Sequence, residues 1–417
     1  MSTPPVPASW HAPSQALWQA GQRQQAVMQQ VQHLNQCGPV KPVPVLMQLA
    51  YYLYNLQDFR GAMLATGQAL AQHPDAVELL SNMATCCSRA GDNAAAAEHA
   101  QRAVTLQPDN ILSWDVLAVA HWKQGQEQAA SEAGSTALRL KDAANAALPA
   151  GWSLPAGTPA AMATQAGKQH VIAFSLWGHQ PRYLLGMLHN AVLAPVLYPG
   201  WVLRCHVDDS VPADFLAALR ALEVDVRRQP AGQSLRQKLC WRFLAANDPQ
   251  VGYFLCRDAD SVSGPREVQA VREWLESGRW FHTMRDWWSH SDLMLAGMWG
   301  GVAGVLPELQ PRLLRYRSGA VETVNIDQWF LRDEVWRYVR TSCLIHDRCF
   351  RLHDSRPMPG LLPGQTDHVG IDASVALHQQ QLRLLAPWIR ELASLASLRP
   401  ALQQLLQPSA SPEPARP

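Results

Sequence analysis

A 34-residue period running from residue 43 to 142 constrains this 417-residue chain more than any other feature of its sequence. Ala62, Ala96 and Ala130 recur at one small site, and Ala69, Ala103 and Ala137 at a second, followed each time by Leu70, Val104 or Leu138. Gly91-Asp92 and Gly125-Gln126 fall at a turn, with Gln57-Asp58 in the first copy, while Leu46, Leu80 and Trp114 hold a large apolar position. Pro74 and Pro108 close the second helix of their copies, where the third copy carries Asp142. Self-similarity at this length marks helix-turn-helix units that bury a face only by stacking on one another. The pattern has a packing cause, since small residues let helices approach closely and Gly tolerates positive φ at the turn. A degenerate pair at about residues 14–38, with Gly21 and Ala26, is expected to cap the array out of phase.

These residues resemble tetratricopeptide repeats. The resemblance implies a superhelical slab whose concave face takes a peptide or protein, with Tyr51, Tyr52, Tyr54, His121 and Trp122 as groove candidates. The alternative is an array that only shields or dimerises the rest of the chain, its aromatic residues serving as core.

The chain is longer than one hydrophobic core usually serves, so two domains are expected. Hydrophobic residues at 47% against 17% charged describe a folded chain. A net charge of +1 without long runs of either sign excludes a nucleic-acid footprint and an anionic membrane surface. No stretch reaches the roughly 18 apolar residues of a transmembrane span, and the start lacks the charged and apolar regions of a signal peptide. Eight cysteines include no CxxC pair, and Cys343, His346, Cys349 and His353 follow no zinc-binding spacing, so reduced thiols in a cytoplasmic protein are expected. The expected organisation is a disordered start (1–13), repeats (14–142), a linker (143–168), an α/β domain (169–376), short helices (377–407) that pack back onto the repeats, and a disordered tail (408–417).

From residue 169 apolar runs alternate with amphipathic stretches, which predicts helices against a mixed, mostly parallel sheet. The fold class is therefore an all-α repeat array followed by an α/β domain. Strands are predicted at 170–177, 201–207, 224–228 and 251–256, and helices at 181–194, 212–222, 234–246 and 265–276. Asp258-Ala259-Asp260 then stands at the C-terminal end of the fourth strand, where open α/β folds bind ligands. Two carboxylates two residues apart on an extended chain point to one side and together offer oxygen ligands to a hard divalent cation.

The layout of strand, Arg-bearing helix, apolar strand and DxD resembles the nucleotide-sugar transferases of GT-A fold, most specifically over RDADS, PREVQAVREW, FHTMRD and GMWG, within residues 170–370. The resemblance implies Mn²⁺ or Mg²⁺ held by Asp258 and Asp260, completed by a late His, for which His368 is chosen over His346 and His353. It implies donor binding by Phe174, Ser175, Trp177, Lys238, Arg242 and Asp258, with Lys238 and Arg242 on one helical face. Trp287, Trp288, Gly297 and Trp299 are implied to contact the acceptor, although Trp287 and Trp288 also suit a core. Asp327, in NIDQWFL, or Asp286 is implied as the base; Asp327 also suits a helix N-terminus.

The expected function is metal-dependent transfer of a sugar from a nucleotide-diphosphate donor to a hydroxyl of a glycan, protein or small molecule, with the repeats recruiting acceptor or partner. The alternatives are a non-catalytic scaffold that keeps the fold, and a nucleotidyl or phosphoryl transferase. The last lacks a Gly-rich phosphate loop.

Overall fold

The computed structural model describes residues 7, 9–148, 151–165, 167–318, 325–360, 367–371 and 379–406. Its first third is four helical hairpins: α1 (Ala12–Gln19) with α2 (Arg23–Gln36), α3 (Val43–Asn55) with α4 (Phe59–Gln72), α5 (Val77–Ala90) with α6 (Asn93–Leu106), and α7 (Ile111–Lys123) with α8 (Glu127–Ala146). The last three begin at 43, 77 and 111, which is the sequence period. All six alanines of the two small sites are fully buried. Gly91 and Gly125 take the left-handed conformation at the hairpin turns, and Gln57 does so in the first copy at φ 64°. Asp58 and Asp92 each accept a hydrogen bond from the backbone N–H three residues on, capping α4 and α6. The array is thus a set of tetratricopeptide-like hairpins.

The expected disordered start is corrected in part. Trp10 packs on Tyr51 with ring centroids 5.1 Å apart, and α1 opens at Ala12. Residues 1–6 and 8 and the tail from 407 lie outside the described residues.

The sheet comprises β1 (Gln169–Leu176), β2 (Val202–Val207), β3 (Asp225–Arg228), β4 (Val251–Asp258), β5 (Phe281–Arg285), β6 (Trp299–Val302) and β7 (Cys343–Asp347). Their spatial order is β3-β2-β1-β4-β6-β5-β7, and only β6 runs antiparallel to its neighbours. The expected mixed, mostly parallel sheet is present. Its central strand β4 is buried on both faces, which is why its sequence reads as one apolar run. Helices α9 (Pro181–Leu197), α10 (Ala213–Ala221), α11 (Leu235–Leu239), α12 (Pro265–Glu276), α13 (Leu309–Arg315), α14 (Ile326–Phe330) and α15 (Trp336–Val339) connect the strands. The predicted helix over 234–246 is instead α11 followed by a 3₁₀ segment, Trp241–Asn247.

The last two hairpins and the sheet share one continuous core, while buried residues of α3 and α4 form separate clusters. Helix α8 is 20 residues long against 14 for α4 and α6, because the third copy has no proline to end it. Asp142, at that position, accepts hydrogen bonds from Arg340 at 2.8 and 2.9 Å and from the Trp336 indole at 2.7 Å. A Cβ at Gly134 would run into the Phe350 ring, so the same helix touches the α/β domain closely two turns earlier. The described part of the expected linker lies against the domain: Tyr253 donates to the Ala160 carbonyl and Trp152 to that of Val305, both at 2.9 Å. The C-terminal helices Gln379–Leu384, Ala386–Glu391 and Arg399–Leu406 lie elsewhere than expected. Pro387 and Pro400 start helices, a position where proline costs no hydrogen bond. The 3₁₀ segment Ala393–Leu398 packs on α9 and α10, not on the repeats, with the Ser394 N–H donating to Asp214 at 3.0 Å.

Candidate functional site

From β1 the chain winds outward through β2 to β3, then returns to place β4 on the other side of β1. The loops after β1 and β4 therefore diverge and leave a crevice at the carboxyl ends of these strands, the place where open α/β sheets bind ligands. Ser175 and Asp258 are register partners across it.

Helix α9 sets the acidic turn. A Cβ at Gly186 would fall 2.5 Å from the Ala259 carbonyl and 2.9 Å from the Asp260 Cα, so only glycine lets the helix lie this close. One turn on, Asn190 donates to the Ser261 carbonyl at 2.7 Å and accepts from the Ser263 N–H at 2.9 Å. The N-terminus of α9 carries Arg182, 3.5 Å from Asp260. Gly186 and Asn190 were missed by the sequence reading; a glycine inside an apolar helix was the available signal.

Arg242 is the centre of the site. Its buried guanidinium bridges Asp258 and Asp327, each at 2.7 Å, and donates from Nε to the Ala296 carbonyl at 3.0 Å. Its backbone N–H donates to the Ser175 hydroxyl at 3.0 Å, tying it to β1. The two aspartates differ in access: the Asp258 side chain is 42% exposed and that of Asp327 only 5%. Burial pushes the Asp327 carboxyl up to about 6; Arg242 opposes that push and Asp258 adds to it. A Cβ at Gly297 would overlap the Asp258 carboxylate, so the loop before β6 presses backbone against that residue.

The structure joins Ser175, Arg242, Asp258, Gly297 and Asp327 and separates other expected residues from them. Lys238 turns away from Arg242, because the helix tightens to 3₁₀ after Cys240, and pairs with Asp208 at 2.6 Å. Despite its partial burial, hydrogen bonds from Lys238 and Ser210 hold the Asp208 carboxyl below its usual range. Phe174 is buried in the core and offers no face to a base, whereas Trp177 is half-buried, edge-on to Trp241. Trp299 is fully buried between Phe243 and Phe254, and Trp288 is buried against Phe350, so these two indoles are core. Trp287 is half-buried and meets Trp122 of the repeats edge to face at 4.8 Å, which removes Trp122 from the groove.

Asp286 is fully buried. It takes two hydrogen bonds from Arg266, at 2.7 and 3.2 Å, and one from the Val369 N–H at 2.8 Å. Asp327 is similarly closed by Arg242 and by the Gln328 N–H at 2.8 Å. Neither is set as an open base. His368 stacks on Trp287 at 4.7 Å, and among the described residues no three His, Cys, Asp or Glu side chains form a metal-holding group. His346 contacts His282 and Glu273, and His353 pairs with Asp142. Asp258 ends β4 and Asp260 lies in the turn that follows, closed by the Ser261 N–H donating to the Asp258 carbonyl at 3.1 Å, so the extended spacing expected of the pair is not present, and each carboxylate faces an arginine, Arg242 or Arg182.

On the array, Tyr51 and Tyr54 line an opening of about 320 Å³ with Trp10, Met47 and Cys86, while Tyr52 is fully buried. No described helix is long and apolar enough to cross a membrane.

The fold and site together define a helical-repeat protein whose array is docked on a mixed α/β sheet with an acidic turn at its switch point. Among solved structures the chain is similar to MamA, with 16% identity and a TM-score of 0.29 over 31% of this chain and 74% of that one. A MamA from Desulfovibrio magneticus gives 17% and 0.29 over 31% and 72%. A tetratricopeptide repeat protein from Parabacteroides merdae gives 13% and 0.28 over 32% and 54%. No family model and no curated protein matches the chain.

Proposed function

We propose that the α/β domain binds a nucleotide-diphosphate sugar with Mn²⁺ or Mg²⁺ and transfers the sugar to a hydroxyl acceptor, the repeats holding a protein or peptide partner. The observation that carries this reading is the position of Asp258-Ala259-Asp260 at the β1/β4 switch point, with the α9 N-terminus and Arg182 beside it. Helix N-termini and arginines favour phosphate groups. Asp258 and Asp260 would hold the cation, which when bound neutralises charge on the departing diphosphate. Ser175 and Trp177 line the donor end of β1, and Gly297 brings backbone close to Asp258. Asp327 holds Arg242 and is not assigned the base. The reading is tested by titrating UDP-, GDP- and CMP-sugars with and without Mn²⁺. At least one donor is expected to bind in a metal-dependent way, and Asp260→Ala to abolish it; a panel with no binder removes the enzyme reading.

The second reading is a non-catalytic scaffold. It is favoured by the Arg242–Asp258 ion pair, which occupies a carboxylate the metal would need. Partner binding by the full chain with no donor binding supports it.

A further inference from the structure

The repeat array reaches the site through one buried cation. Lys141, on α8, is 3% exposed and divides its three donors between one partner in its own array and two in the α/β domain. It pairs with Asp115 of α7 at 2.9 Å and with Asp292 of the α/β domain at 3.1 Å, and it donates to the Ser291 carbonyl at 2.7 Å. The Ser291 hydroxyl closes the ring by donating to Asp115 at 2.7 Å. Ser291 and Asp292 belong to the loop between β5 and β6, which runs on to Gly297. After Asp292, the Leu293 carbonyl accepts from Arg285 at 3.0 Å, the Ala296 carbonyl accepts from Arg242 at 3.0 Å, and Gly297 lies against Asp258. The loop is therefore held at both ends, by the repeats at Ser291-Asp292 and by the site arginine at Ala296. Only five residues lie between Ser291 and Gly297, and such a segment, tied at so many carbonyls, has few ways to move one end without the other.

We infer that Lys141 is a positioning residue: through Ser291 and Asp292 the repeat array fixes the loop that walls the crevice beside Asp258. A bare structural role would give a different result, because interface contacts such as Asp142 with Arg340 hold the two parts together without touching this loop. The kinetic consequence rests on the transferase reading above; the placement of the loop does not.

The experiment is amide hydrogen exchange on the full chain, comparing wild type, Lys141→Met and Asp142→Asn. A second disrupting variant, Asp115→Asn/Asp292→Asn, keeps side-chain volume and removes both charges that Lys141 meets. Exchange across 287–298 is expected to speed up at least tenfold in Lys141→Met and in the double variant, with β4 unchanged, and to stay at the wild-type rate in Asp142→Asn. Binding of UDP with Mn²⁺, if wild type shows it, is expected to weaken several-fold in the same two variants. Unchanged exchange over 287–298 in both, or equal acceleration in Asp142→Asn, overturns the inference. Absence of UDP binding by wild type strikes the transferase reading and leaves the exchange result to decide this one.

Discussion

Replacing Arg242 by Met tests the electrostatic account of the site directly. The substitution puts an unbranched apolar side chain in place of the charge that Asp258 and Asp327 share. Asp258 is 42% exposed and turns to water, so its share of the loss is small. Asp327 cannot do this, being 5% exposed. Breaking a buried pair from one side costs about 3–5 kcal/mol, and the orphaned Ala296 carbonyl adds about 1 kcal/mol. The penalty depends on pH, and its sign follows from the Asp327 carboxyl. Its folded value, about 6, lies above the ordinary 3.8, so its stabilising contribution is complete below 3.8 and is lost as pH rises through 6. Without Arg242 the folded value rises further, and wild type and variant diverge only above pH about 6. Each unit of divergence is worth about 1.4 kcal/mol. The expected loss is thus about 4 kcal/mol at pH 8 and about 2 kcal/mol at pH 5.5. Urea unfolding followed by tryptophan fluorescence at the two pH values measures it, since other titrations common to both proteins cancel. An equal loss at both pH values, or an Arg242→Met/Asp327→Asn variant no more stable than Arg242→Met at pH 8, refutes the reasoning.

Gln57→Gly is expected to stabilise the array by roughly 0.5–1 kcal/mol, because Gln57 bears a positive φ that glycine carries in the other two copies; a lower melting temperature than wild type sinks the assignment of strain. Asp142→Ala should cost about 2–3 kcal/mol by stranding the Trp336 indole N–H and Arg340; a loss under about 0.5 kcal/mol in the unfolding midpoint means the interface does not depend on that residue. Burial depresses His189 and His206 to about 4 and His290 to about 3, and lowers His282 as well. Their stabilisation is full above 6.5 and lost as pH falls toward those values, about 1.4 kcal/mol per unit for each, so the urea midpoint should drop steeply from pH 6.5 to 5; a flat profile contradicts their burial in neutral form.

The repeats were legible because their period is one of local geometry. Each hairpin turn, cap and small site recurs at a fixed offset, and each is decided by residues within a few positions of it. The first four strand positions were legible from local pattern, whereas β6 and β7, set apart by long connections, were not predicted as strands. Side-chain destinations were not legible, because they depend on what another part of the chain places opposite. Trp299 reads as a stacking platform until Phe243 and Phe254 close over it. Lys238 and Arg242 read as one helical face until the turn at Cys240 sends them to different partners. Asp142 read as a lapse in the repeat; it is the residue by which the last helix docks.

Exposure sorts the carboxylates that the sequence offers for chemistry. Asp286 is sealed, and withdrawing it from Arg266 would leave two buried charges unmatched. Asp327 is sealed likewise, but its partner is shared. Because Arg242 meets both Asp327 and Asp258, it keeps one buried counter-charge when the exposed one turns away. Under the proposed transferase reading, Asp258 would exchange a guanidinium for a substrate-borne cation without stranding Arg242, at a cost limited by its own exposure. On that reading a site with only one carboxylate on Arg242 would break a buried ion pair on binding, whereas here the arginine would keep Asp327 as its partner.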